Sequence, residues 1–244
     1  MKILEPQDGA AESPEHMSHS QEPAHEARAS DSPFVEQIRR IWIERESASL
    51  CSADGHWNML LVRYQGETSF SVWGPMTQGG AMHYPQGAEF LSITFTLGTF
   101  ISQMPVGNLL DKGQILPRAS ANSFWLDDFS WRFPEYEHVE AFINKLVRKG
   151  LLVHEPVVDA VLQGQSSALS KRSVQRRFLR ATGLSLRTLQ SFERARHAAA
   201  LLQQGVPLLD TVEEAGYFDQ SHLTRALKRF SGQTPAQIAR TRKP

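Results

Sequence analysis

Two short basic segments do most to limit what this chain can fold into, because each carries its own signals for starting and stopping a helix. Residues 170–183 read Ser-Lys-Arg-Ser-Val-Gln-Arg-Arg-Phe-Leu-Arg-Ala-Thr-Gly, and residues 219–232 read Asp-Gln-Ser-His-Leu-Thr-Arg-Ala-Leu-Lys-Arg-Phe-Ser-Gly. Ser170 and Asp219 are N-cap residues, whose side-chain oxygens take up the orphan amides of a first helical turn. Gly183 and Gly232 stand where a helix ends in the left-handed conformation.

At about 100° per residue, Val174 and Phe178 share one side of the first helix, with Arg172, Gln175, Arg176 and Arg180 turned away from them. In the second, Leu223, Ala226, Leu227 and Phe230 turn inward, and Ser221, His222, Arg225, Lys228 and Arg229 outward. One basic face alone is ordinarily a solvated surface. Two in one unit, both mixing arginine with amide or hydroxyl groups, suit another use. Arginine pairs bidentately with guanine O6 and N7, and glutamine with adenine N6 and N7.

Between the two segments, residues 185–204 read as a long amphipathic helix with Leu189, Phe192, Ala195, Ala199 and Leu202 on its buried side. Such a helix would hold two readers about one turn of DNA (~34 Å) apart. Residues 208–215 read as a scaffold helix buried through Leu208, Leu209, Val212 and Ala215, with Gly216 making the turn. Ahead of the first basic segment, residues 156–163 are followed by Gly-Gln-Ser-Ser-Ala-Leu, a looser connection than the tight turn before the second.

Gly183-Leu-Ser, Arg194-Ala-Arg and the uninterrupted run from Ala215 through Gly-Tyr-Phe-Asp-Gln-Ser-His-Leu-Thr-Arg to Pro235 resemble the AraC/XylS-type transcription regulators. The resemblance covers residues 157–240. It implies an all-α domain with two helix-turn-helix units, whose base-facing positions fall on Arg172, Gln175 and Arg176 in the first and on Gln220, Ser221, His222 and Arg225 in the second. Arg180, Lys228 and Arg229 are the expected phosphate contacts. Double-stranded promoter DNA is the implied partner, with RNA polymerase, a small-molecule effector and a second copy of the chain as further ones.

The charge distribution agrees. From Gln165 onward there are fourteen Lys and Arg against five Asp and Glu, while the first 164 residues carry twelve against twenty-one. A polyanion therefore suits one end only. The single Cys51 excludes an intramolecular disulfide, and no apolar run approaches the ~18 residues of a membrane span. A cytoplasmic protein with no membrane partner is expected.

Residues 1–33 are rich in Glu, Ser, Pro, Ala and His and are expected to be a disordered tail, in which His16, His19 and His25 are solvated. Val35, Ile38, Ile41 and Trp42 suggest a brief amphipathic helix, whereas residues 59–64, 69–73 and 89–100 read as strands. Many short strands divided by Gly and Pro favour a small barrel or sandwich over residues 34–138, loosely similar to cupin-type sensor domains. Residues 139–164 are expected to connect it helically to a DNA-binding domain over 165–244, with Phe142, Ile143, Leu146 and Val147 on one face. The expected class is thus α+β and multidomain: a mostly-β, cupin-like sensor barrel before an all-α domain.

Catalysis finds no support. A cupin-type metal centre needs several converging ligands, and the region offers His56, His83 and Glu89 without a His-x-His pair, so neither a metal nor another cofactor is expected. No phosphate-binding loop or nucleophile elbow is present. Trp57, Trp73, Phe95 and Trp125 are candidates to line a ligand pocket, against ordinary core packing. A metal-dependent cupin-like enzyme with a basic appendage, and a nonspecific nucleic-acid binder, are the alternative readings.

Overall fold

The computed structural model describes residues 24–166 and 168–241. The first part is mostly strand: β1 Ala24–Arg28, β2 Val35–Trp42, β3 Ser47–Cys51, β4 Asn58–Tyr64, β5 Glu67–Trp73, β6 Gly80–Tyr84, β7 Glu89–Phe95 and β8 Thr99–Ile101. A 3-10 turn at Val106–Leu109 leads to β9 Gly113–Ile115, β10 Arg118–Ser120, β11 Ser123–Leu126 and β12 Phe129–Arg132. After a second 3-10 turn, Tyr136–His138, come α1 Val139–Arg148, β13 Leu152–His154 and α2 Pro156–Leu162. The remainder is helical: α3 Lys171–Thr182, α4 Leu186–Gln203, α5 Leu208–Glu214, α6 Gln220–Ser231 and α7 Pro235–Arg240. A mostly-β region followed by a helical one is the class expected.

Six antiparallel strands form the main sheet in the order β1-β2-β7-β4-β5-β9, beside a three-stranded sheet β10-β11-β12 and the pairs β8-β13 and β3-β6. β7 keeps the period of two, with Leu91, Ile93 and Phe95 buried and Ser92 and Thr94 half-buried between them. The single strand expected over residues 89–100 is instead two. The chain turns at Gly98 (φ +91), and β8 leaves the main sheet to pair with β13. The expected helical connection therefore supplies a strand to the β region. It also supplies α1, whose Val139, Phe142, Ile143 and Leu146 are buried, with the Phe142 ring edge-on to Phe70 and Phe124 at 6.1 and 6.2 Å.

The helix expected from Val35, Ile38, Ile41 and Trp42 is a strand, β2, lying between β1 and β7. Its register slips between Val35 and Gln37. The extra residue of that bulge puts Val35 and Ile38, three positions apart, on the same buried face, so an extended chain reproduces a helical spacing. The disordered tail needs a second correction. Residues 1–23, with His16 and His19, lie outside the described residues, but residues 24–28 form an edge strand paired along its length with β2. Main-chain hydrogen bonds hold it without burying any apolar side chain, and Arg28 anchors its end by donating to Glu140 Oε2 at 2.9 Å and to the Tyr136 carbonyl at 2.7 Å.

One apolar core runs through both regions, taking in Ile38, Ile93 and Leu146 on one side and Leu189, Leu223 and Leu227 on the other. In the helical region α4 buries Leu189, Phe192, Ala195 and Leu202 as expected, and Ala198 rather than Ala199 lies deepest. α5 turns differently from expectation. Leu209 is 72% exposed, whereas Thr211 is fully buried, its hydroxyl satisfied by donating to the Pro207 carbonyl at 3.0 Å. A buried threonine that returns its hydrogen bond to its own helix can occupy an apolar face.

Candidate nucleic-acid interface

α3 and α6 are built alike. Ser170 Oγ accepts from the Ser173 amide at 3.2 Å, and Asp219 Oδ1 accepts from the His222 amide at 2.6 Å. At the other ends Gly183 and Gly232 both adopt φ +71, a conformation a β-carbon disfavours, and their amides donate to the Leu179 and Lys228 carbonyls at 2.8 and 2.9 Å. Phe178 and Leu223, Leu227 and Phe230 are buried, fixing which side of each helix remains outside. Each has a scaffold helix ahead of it, α2 for α3 and α5 for α6; the α2–α3 connection spans residues 163–170.

That fixing leaves every expected base-facing side chain exposed: Arg172, Gln175 and Arg176 on α3, and Gln220, Ser221, His222 and Arg225 on α6. Arg172, Gln175, Arg176, Arg225 and Lys228 have no ion pair or side-chain hydrogen bond among the described residues. Arg177 is the contrast: its Nε lies 2.8 Å from Glu155 and it pairs with both carboxylate oxygens, so this cation is spent on joining α3 to the start of α2. Arg194 likewise stacks its guanidinium over the Tyr217 ring at 5.4 Å.

The C-terminal ends of both helices rest on the β region. The last carbonyls of a helix have no partner within it. In α6 the Arg229 carbonyl accepts from the Gly79 amide at 2.8 Å, and the Phe230 carbonyl accepts from the Ala53 amide at 2.6 Å. A β-carbon on Gly79 would lie 2.5 Å from the Phe230 oxygen, a backbone atom that cannot yield, so this loop needs glycine for close approach, whereas one on Gly55 would meet only the movable end of the Leu189 side chain of α4. α3 packs at Gly183 against Val106 and Gly107 of the 3-10 turn. Reading from sequence missed these contacts, since main-chain amides leave no side-chain pattern; Gly55 and the Gly79-Gly80 pair were the available signal.

Two of the three expected phosphate contacts belong partly to this junction. The Arg180 guanidinium sits 5.8 Å from the Phe100 ring, and Arg229 Nε donates to the Thr77 carbonyl at 3.4 Å, although both side chains remain exposed. Lys228 is exposed. A titratable group also faces α4 here: His56 Nε2 lies 2.6 Å from Glu36. Burial works to lower the His56 pKa, but the hydrogen bond to Glu36 and the charges of Glu36 and Asp54 outweigh it and raise it, with Arg196 of α4 opposing them.

The four aromatic residues expected to line a pocket do not share one. Trp57 and Phe95 are buried and stacked face to face, centroids 3.8 Å apart, and the Trp57 indole donates to the Thr99 carbonyl at 2.5 Å. Trp73 packs over Gly113 and donates to Ser71 Oγ at 3.0 Å, and Trp125 is 44% exposed. Trp57 and Phe95 fill the space between strands and leave a void of only about 10 Å³ beside Trp57. A larger open cleft of about 460 Å³ lies elsewhere, lined by Gln103, Met104, Asn108, Leu109, Lys112 and Gln114, alongside the 3-10 turn that meets α3. Among the described residues no group of three or more His, Cys, Asp or Glu is placed to hold a metal ion, and no helix is long and apolar enough to cross a membrane.

Residues 165–241 match the family model described as a helix-turn-helix domain. Among solved structures, ToxT from Vibrio cholerae is similar at 10% sequence identity, over 90% of this chain and 99% of that one, with a TM-score of 0.36. ToxT bound to (E)-4-(8-methylnaphthalen-1-yl)but-3-enoic acid gives 10% identity over 90% and 99%, with a TM-score of 0.35. The unsaturated fatty acid bound form gives 11% over 91% and 92%, with a TM-score of 0.33. No curated protein matches the chain.

Proposed function

We propose, from the AraC-type helix-turn-helix domain at the C-terminal end of this chain, that it is a transcription regulator whose α3 and α6 read duplex DNA in two places. The observation that carries the reading is the repetition: a side-chain N-cap, an exposed face bearing Arg and amide or hydroxyl groups, and a left-handed glycine at the end of each helix. Arg172, Gln175 and Arg176 would read one major-groove segment, and Gln220, Ser221, His222 and Arg225 another. Lys228 would hold phosphate, and on Arg180 and Arg229 phosphate contact and domain docking would meet in the same side chains.

The β region would supply the regulatory input. Its contacts with the ends of α3 and α6 are direct, so a signal changing its shape has a short physical route to both readers, beside the connection through α1 and α2. The cleft beside the 3-10 turn is of a size that takes small molecules, and we assign an effector to it. Linkage then requires that DNA alter effector affinity by the factor with which effector alters DNA affinity.

Selection of bound duplexes from a random library by the full chain tests the function. A preferred sequence spanning two major-groove segments, bound with an affinity that falls steeply as salt rises, is expected. Equal binding to all duplexes after competitor is added would identify a nonspecific binder instead.

A further inference from the structure

Phe218 is 91% exposed, the most exposed large apolar side chain described, and it immediately precedes the N-cap Asp219 of α6. An apolar residue at this place commonly packs against the fourth residue of the helix, here Leu223, and so fixes the entry of the chain. Leu223 is fully buried without it. Tyr217 takes the inner position instead, 7% exposed, with its ring edge-on to His222 at 5.1 Å and beneath Arg194. Phe218 thus adds nothing to the fold while holding an aromatic ring in water, which is unfavourable in proportion to the apolar area left wet. A local rule broken without structural gain points to use at a partner.

Its surroundings say which partner. Gln220, Ser221, His222 and Arg225 follow it on the exposed face of the same helix, and the N-terminal residues of a reading helix are those that meet base edges. The major groove offers one apolar feature on a base edge, the 5-methyl group of thymine. A phenyl ring has neither donor nor acceptor for the other edges and would strip water from them without return. We infer that Phe218 is a specificity residue whose ring docks on the methyl group of a thymine, next to the bases read by Gln220, Ser221, His222 and Arg225. The inference rests on the DNA-reading function proposed above.

The test takes the preferred duplex of the full chain and replaces each thymine in turn by deoxyuridine, which removes only the methyl group. One replacement is expected to weaken the native chain about fourfold, the loss of one buried methyl, and to leave Phe218→Ala unaffected. Phe218→Ala itself should bind the unmodified duplex about tenfold more weakly, with an unchanged melting temperature. Equal affinity of Phe218→Ala and the native chain would overturn the inference. So would a loss in Phe218→Ala with no uracil-sensitive position, and so would lost promoter output with DNA affinity intact, which would assign the ring to a protein partner. If the native chain prefers no duplex, the functional reading itself fails, a result visible before any variant is made.

Discussion

Arg177 grips Glu155 through two nitrogens, and the same carboxylate caps α2 by accepting from the Val157 amide at 3.2 Å. Glu155 therefore ties the start of α2 to α3 across the longer connection between them. Glu155→Ala should cost about 1–2 kcal/mol through the lost cap, and Arg177→Ala, which leaves the cap, about 0–1 kcal/mol. Chemical denaturation measures both. Equal costs would mean that the cap contributes nothing.

Gly79→Val should disturb the junction more severely, because its side chain would meet the backbone at Phe230 and Ser231 rather than a yielding side chain. A loss of about 1–3 kcal/mol is expected, with helical and β signals no longer unfolding in one coincident transition. A single unchanged transition would show that the two regions do not depend on this contact.

Arg225→Ala is expected to lose about 1–3 kcal/mol on the preferred duplex and to relax base choice at one position, whereas Lys228→Ala should weaken all duplexes alike. Arg176→Ala should repeat the Arg225 pattern at a second, separate position. A footprint over one major-groove segment, with Arg176→Ala silent, would restrict reading to α6.

The Arg28 to Glu140 link gives the edge strand a pH signature. The hydrogen bond from Arg28 outweighs burial and holds the Glu140 carboxyl at about 2, against an ordinary 4.5. A carboxylate depressed in the folded state adds stability that is complete above its unfolded pKa and is lost as pH falls through the folded one. The stability difference between the native chain and Glu140→Gln should thus be constant above about pH 5 and shrink towards zero between pH 4.5 and 2. A difference that persists at pH 2 would show that charge is not its source.

The helical region was legible because its signals are local. Ser170, Asp219, Gly183 and Gly232 act on their own helices, and the inward positions of α6 follow the helical period. α5 was read less well, since Thr211 hides its hydroxyl in the helix and leaves Leu209 outside. In the β region the alternation of β7 was plain, while β2 was disguised by its bulge and β1 by pairing through main-chain bonds and the Glu26–Arg40 and Arg28–Glu140 ion pairs without burying an apolar side chain. Trp57 and Phe95 show the opposite limit: composition announces aromatic residues but not whether their faces are covered by each other. The candidate site was legible in its exposed side chains and hidden where Ala53 and Gly79 use their amides.

The bonds from Ala53 and Gly79 reach α6 through its carbonyl oxygens, which every amino acid possesses. Substitutions along the exposed face of α6 leave that attachment in place, as the bonding atoms belong to the peptide backbone and not to the varying groups. If α6 reads DNA as proposed, a lineage could change its base preference one side chain at a time while its mounting stays constant, and the demand for an invariant residue would fall on the loop glycine Gly79.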